Sequence, residues 1–318
     1  MRWCSRFREA GPVVAEGAGG VGHRRPVPLL ATLLVVAAGT SLIGCAPADE
    51  PAETAEVASD AASPDGTLSA GGLTLTPMPD SPAFADATLE LHGIEQGADL
   101  APGTTSMHFG VANYELGVQT SDAATKGIAN SGDGQHIHLI LNNGPYSAHY
   151  EESVETELTP GYYVLLAFLS RSYHESVKSP GAVVLTDFTV GGEPSAEVDF
   201  TQPHLFYSRP KGSYVGSDIE RLMLDFYLVN VDLSADGYKV RATVNGNEFM
   251  LTDWVPYLIE GLTPGSVTIQ LELIDAEGNW VEGPFNRVTR TVTLEAAADS
   301  PAEGVEEAAP EEHGAESH

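Results

Sequence analysis

Four histidines, His136, His138, His149 and His174, stand close together in a chain that holds ten. An imidazole with a free lone pair is a ligand for Zn²⁺ or Cu²⁺, the metals that suit a nitrogen-donor set without thiolates. His136 and His138 are two apart, so an extended strand puts both on one face, roughly 7 Å between Cα atoms. His174 lies in the loop Ser170-Arg171-Ser172-Tyr173-His174-Glu175, and His149 precedes Tyr150 on a neighbouring strand. In a metal centre each ring's second nitrogen needs a carboxylate or carbonyl partner, for which Asp133, Glu151 and Glu175 are candidates. The same residues also read as surface or hydrogen-bonded histidines, or as a proton-linked contact to a polar ligand. Tyr146 and Tyr150 either line such a site or cover the sheet edge. His108, just before Phe109, is a further possibility, whereas His313 and His318 read as part of a solvated tail.

Other chemistries find no support in the sequence. It contains no nucleophile elbow, Walker loop or dinucleotide fingerprint. His174-Glu175-Ser176-Val177-Lys178 starts like a zincin helix but has Lys where the second His belongs, in a predicted loop. Glu151 and Glu152 are adjacent, hence on opposite faces of a strand, which prevents acid/base teamwork. Trp254, Tyr257, Trp280 and Phe285 read as core packing rather than a sugar-stacking set. The expectation is a binding protein and not an enzyme.

The elements that must position the histidines form a repeat. Leu158-Thr159-Pro160-Gly161 recurs as Leu262-Thr263-Pro264-Gly265, and at that offset Leu169 falls on Leu273, Val177 on Val281 and Pro180 on Pro284. Phe109, Asn113 and Leu116 match Phe226, Asn230 and Leu233, and Asn142 matches Asn245 with one residue of slippage. Within the copies apolar and polar residues alternate, as in Val240-Arg241-Ala242-Thr243-Val244, between turn pairs such as Asn245-Gly246. The pattern predicts an all-β chain of two tandem antiparallel β-sandwich domains, immunoglobulin-like, at 83–192 and 197–295.

The second copy's pleat sets the register of the first. If Val240, Ala242 and Val244 face a core, so do Ile137, Leu139 and Leu141, and His136 and His138 share the outer face where the second copy has Lys239 and Arg241. By the same argument Val164, Leu166 and Phe168 point outward, giving an apolar outer face that is either covered by another element or a recognition surface. His149 and His174 align with Asp253 and Gly278, so the histidines belong to one copy only.

The run Gly134-Gln135-His136-Ile137-His138-Leu139, then Leu158-Thr159-Pro160-Gly161, then His174 before Ser179-Pro180, resembles an uncharacterised family of exported bacterial domains. That family carries a Gly-His-His-His-Leu strand, a Leu-x-Pro-Gly turn and a later His before a Pro. The resemblance covers about 60 residues and departs at Ile137, where the family has its middle His. It implies a shared fold and a shared site, with no activity to inherit.

Arg24 and Arg25 precede an apolar run from Pro28 to Gly44 that ends in Leu42-Ile43-Gly44-Cys45. These four residues resemble the bacterial lipobox, which implies that 1–44 is a cleaved signal peptide and that Cys45 carries the lipid. More than one acyl chain makes anchoring effectively permanent. Ala46 stands where an Asp would resemble an inner-membrane retention signal, so the expected location is the cell envelope, at the outer membrane if the organism is Gram-negative. Cys45 is then the last cysteine, which excludes disulfides and thiol catalysis. Losing five Arg and two Glu with the leader takes the formal charge from −30 to −33, and with no Lys/Arg cluster beyond the leader nucleic acid is excluded as a partner. Residues 45–82 and 296–318, rich in Ala, Glu, Asp, Ser and Pro, are expected to be a disordered tether and a disordered acidic tail. The expected partners are the membrane, through the lipid, and a metal ion or envelope component. The second domain would act as spacer or docking module. The runner-up is a structural or adhesive surface lipoprotein with incidental histidines.

Overall fold

The computed structural model describes residues 65–192 and 197–297. The proposed leader, Cys45, the tether as far as residue 64 and the acidic tail from 298 lie outside the described residues. In chain order come β1 (Leu68–Ala70) and β2 (Leu73–Pro77), then two sets of eight strands. The first set is β3 (Thr88–His92), β4 (Ala98–Leu100), β5 (Gly103–Ala112), β6 (His136–Leu141), β7 (Ser147–His149), β8 (Ser153–Leu158), β9 (Gly161–Ser170) and β10 (Val183–Val190). The second is β11 (His204–Arg209), β12 (Ser213–Val215), β13 (Leu222–Val229), β14 (Lys239–Val244), β15 (Asn247–Leu251), β16 (Tyr257–Glu260), β17 (Gly265–Ile274) and β18 (Arg287–Glu295).

The first set forms one sheet of order β3-β5-β8 and another of order β4-β10-β9-β6-β7; the second repeats these as β11-β13-β16 and β12-β18-β17-β14-β15. Even the parallel pairing of β4 with β10 recurs, as β12 with β18. Two immunoglobulin-like sandwiches with one strand order are what a duplicated domain gives. The recurrent asparagines have a backbone cause. Asn113 and Asn230 take φ of 55° and 54°, and Asn142 and Asn245 take 50° and 47°, a left-handed conformation that Asn tolerates better than other side chains. Asn142 Oδ1 accepts the Val164 N–H at 2.7 Å, and Asn245 Oδ1 accepts that of Thr268 at 2.9 Å.

The alternation predicts the two cores. Ile137 and Leu139 of β6 pack with Leu165, Ala167 and Leu169 of β9 in the first, and Val240, Ala242 and Val244 pack with Val267, Ile269, Leu271 and Leu273 in the second. A tyrosine corner closes the first copy, where the Tyr163 hydroxyl donates to the Thr159 carbonyl at 2.9 Å. In the second copy Val267 holds that position.

The expected tether ends earlier than residue 82. β1 and β2 form a hairpin, and β2 pairs with β16, extending the second sandwich by two strands. Leu73 and Leu75 enter the second core. Composition averaged over the segment conceals Leu73-Thr74-Leu75-Thr76, an alternation long enough to bury one face. The chain therefore begins its described course in the second sandwich, crosses to the first, and returns.

The sandwiches stack face to face. The outer face of β6 and β9, with Ile140, Val164, Leu166 and Phe168, packs against Phe206 of β11, Tyr227 of β13 and Phe285. At about 1.5–3 kcal/mol per large apolar side chain removed from water, this contact is a second-order core. An ion pair closes it: Lys178 Nζ lies 2.8 Å from Oδ1 of the wholly buried Asp225, whose Oδ2 accepts the Ser176 N–H at 2.9 Å. The corresponding face of the second sandwich is charged, with Arg241 and Arg287 both paired to Glu272.

Candidate metal centre

His136 and His138 project from the outer face of β6, as the register predicts, but they are not on the surface. Both are wholly buried, because the second sandwich covers this face. His174 reaches them from the loop after β9. Its Nδ1 lies 3.0 Å from His136 Nε2 and 3.4 Å from His138 Nε2, and one nitrogen from each ring falls within 4.8 Å of the others. Nitrogen ligands about 2.0–2.1 Å from a common ion stand roughly 3–3.5 Å apart, so the spacing fits a shared metal.

His174 is held there against a backbone preference. Its φ is 68°, and at its counterpart Gly278 φ is 84°. The turn is the same in both copies: the His174 N–H donates to the Arg171 carbonyl and the Arg171 N–H to the Glu175 carbonyl, as Gly278 does to Asp275 and Asp275 to Asn279. A side chain in this conformation costs about 1–2 kcal/mol that glycine avoids. The first copy retains an imidazole at a position where its sister has glycine.

His136 is oriented by the chain before it. Its Nδ1–H donates to the Gly134 carbonyl at 2.8 Å, which leaves Nε2 with the lone pair facing His174. Gly134 itself has φ of 88°, and a Cβ there would stand 2.6 Å from the carbonyl carbon of Val118. The backbone carbonyl thus takes the role for which Asp133, Glu151 and Glu175 were candidates. Asp133 and Glu151 are exposed, and Glu175 turns to Arg171 at 3.4 Å.

Around the three rings lie groups that the sequence left ambiguous or did not indicate. Tyr146 stacks on His138 with ring centroids 3.7 Å apart, and its hydroxyl is 3.5 Å from His174 Nδ1. Ser170 Oγ lies 3.4 Å from His138 Nε2. The second sandwich contributes Ser208, whose Oγ is 3.5 Å from His138 Nδ1, and Arg209, which donates to the Tyr146 hydroxyl at 3.1 Å. Adjacent residues of a regular strand point to opposite faces, but the register of β11 shifts between Tyr207 and Arg209, and this irregularity lets both reach the junction. The second sandwich is therefore more than a spacer, since it closes the centre.

Burial decides the electrostatics. It holds His136 down at about 4 and His138 and His174 well below the ordinary imidazole value, with Arg209 adding to the effect at each. All three rings are neutral at pH 7, the state a metal requires. Burial also raises the Tyr146 phenol.

His149 does not join them. It pairs with Ile137 across β6 and β7, so it shares the face of Ile137, opposite His136, and its Nε2 lies 2.7 Å from Ser147 Oγ. A constant offset between the copies sets His149 against Asp253, but strand pairing makes Leu251 its counterpart. His108 is on the outer face of the other sheet beside His92, ring centroids 5.8 Å apart, away from the centre. Trp254, Tyr257 and Phe285 pack in the apolar clusters, in keeping with their reading as core residues, whereas Trp280 is exposed, with the Arg287 guanidinium 4.4 Å from its ring centre.

Neither a family model nor a curated protein sequence matches the chain. Solved structures do. The fibronectin(III)-like modules of Clostridium thermocellum CbhA are 12% identical over 66% of this chain and 95% of that one, with a TM-score of 0.24. The central fibronectin-III array of RIM-binding protein is 9% identical over 71% and 72%, with a TM-score of 0.23. Bacteroides ovatus SGBP-B, in complex with a mixed-linkage heptasaccharide, is 13% identical over 65% and 47%, with a TM-score of 0.20.

Proposed function

We propose that this is a lipid-anchored cell-envelope protein that binds a transition-metal ion through His136, His138 and His174, without catalysing a reaction. The observation that carries the reading is His174 itself: a strained backbone position that is glycine in the sister domain bears an imidazole aimed at two others. Three neutral nitrogens at ligand spacing, one of them fixed in tautomer by a backbone carbonyl, support it. Cys45 would carry the anchor and residues 46–64 the span to the folded part.

The test is metal analysis of the mature chain, made soluble by Cys45→Ser, after chelation and re-addition of Zn²⁺ or copper. The expected result is one equivalent bound, lost in His136→Ala and in His138→Ala. No stoichiometric uptake would leave the structural or adhesive reading in its place. The anchor is tested separately, by whether wild type partitions with membranes and Cys45→Ala does not.

A further inference from the structure

The charges around the centre point to one oxidation state. Arg209 is buried, and Lys211 stands with its ammonium 4.4 Å above the Tyr146 ring, donating to the Tyr146 carbonyl at 2.6 Å. Neither cation is in an ion pair among the described residues, and no carboxylate belongs to the ligand group. The guanidinium lies between the side chains of Tyr146 and Tyr214, donating to the Tyr146 hydroxyl and facing the Tyr214 ring. Before any metal enters, the junction thus holds positive charge with neutral ligands.

Burying an ion costs free energy that rises with the square of its charge, and repulsion from a fixed cation rises in proportion to it. A divalent ion here would meet twice the repulsion and four times the desolvation of a monovalent one, and the buried carboxylates Glu175 and Asp225 are already paired with Arg171 and Lys178. Hydroxide or another anion from solvent could reach the centre only past half-buried His174, since His136 and His138 are closed to it. Cuprous ion removes the difficulty. It carries one charge, imidazole nitrogen is an accepted donor for copper, and three ligands suffice for it, whereas Zn²⁺ held by three protein ligands takes a water or anion as its fourth. Resting on the three-histidine reading above, we infer that the centre selects Cu(I) over Zn²⁺ and Cu²⁺, and that Arg209 and Lys211 are the residues that impose the selection.

The ordinary order for nitrogen sites places Cu²⁺ above Zn²⁺ and makes both tight; a reversal in favour of the monovalent ion is the signature sought. The experiment is anaerobic competition of the soluble mature protein against a chromophoric Cu(I) chelator, and parallel competition with Zn²⁺ and with Cu²⁺. Expected is one Cu(I) held at least a hundredfold more tightly than either divalent ion. Arg209→Met should improve divalent binding on the order of tenfold and Cu(I) binding by only about threefold, since repulsion scales with the charge of the ion, so the ratio shifts toward the divalent ions. Because removal of a buried Arg can disturb folding, Lys211→Met, at a less buried position, serves as the second variant and should shift the ratio the same way by a smaller factor. Zn²⁺ or Cu²⁺ binding as tightly as Cu(I), or a ratio unmoved in both variants, would overturn the inference and leave the metal centre standing. Failure of all three ions to bind would instead remove the centre.

Discussion

His174→Gly separates a ligand from a packing residue. The substitution gives the first copy the residue its sister has at Gly278, in a turn of the same hydrogen-bond pattern. Relief of the left-handed backbone should stabilise the protein by about 1–2 kcal/mol. Against this stand about 0.5–1 kcal/mol of extra backbone entropy for glycine and about 1 kcal/mol for the lost contacts of a half-buried imidazole. The net change for the metal-free protein is therefore within about 1 kcal/mol of zero, even though the side chain lies at the centre of a buried cluster. His138→Ala is the contrast: wholly buried and stacked on Tyr146, it should cost about 2–4 kcal/mol through the cavity it leaves. Denaturant unfolding in the presence of chelator measures both, and metal titration should show both unable to bind. A loss of 3 kcal/mol or more for His174→Gly, or metal binding at the wild-type level, would refute the assignment of His174 as a ligand kept at the expense of its backbone.

Acid should weaken the metal-free fold. His136 is held near 4 when folded against an ordinary value of 6.5, so the unfolded chain binds more protons throughout that interval and stability falls as pH drops from about 6.5 to about 4. His136 alone contributes about 3 kcal/mol of that loss, with His138 and His174 adding to it, and unfolding midpoints measured across the window should flatten in His136→Gln. Lys178→Met leaves Asp225 buried without its cation and should cost about 2–3 kcal/mol in chemical unfolding; the neutral pair Lys178→Met with Asp225→Asn should recover part of it. Leu75→Ala should cost about 2–4 kcal/mol, whereas a residue in a free tether would cost nothing. Gly134→Ala should both destabilise the fold and lower metal affinity, because the crowding against Val118 displaces the carbonyl that orients His136.

Much of the architecture was legible because it rests on side-chain alternation. The period of Val240, Ala242 and Val244 transferred to Ile137 and Leu139 because the two copies pair their strands in the same register, and the apolar outer row Val164, Leu166 and Phe168 required a cover. What the cover would be was not legible. The residues of the second sandwich that supply it, Phe206, Tyr227, Ser208 and Arg209, lie on strands whose inward residues alone are marked by the repeat, and the shift in β11 that turns Arg209 to the junction leaves no trace in composition. His149 was misplaced for a similar reason: a gapless offset cannot see that β7 is shorter than β15 and pairs through a different residue. His174 was legible by its mismatch with Gly278, and the backbone geometry gives that mismatch its meaning.

The two copies meet through unlike faces, one offering the β6 and β9 side and the other the β11 and β13 side. Contacts of this head-to-tail kind do not close on themselves, and a chain of identical units joined so would grow into a filament. Here the outer faces differ from the one that joins the pair: at one end the Glu272 network with Arg241 and Arg287 presents ions where a like contact would need oily side chains, and at the other His92 and His108 face water. The difference between one copy's apolar sheet and its sister's charged one thus gives the pair two ends unlike the faces that join it.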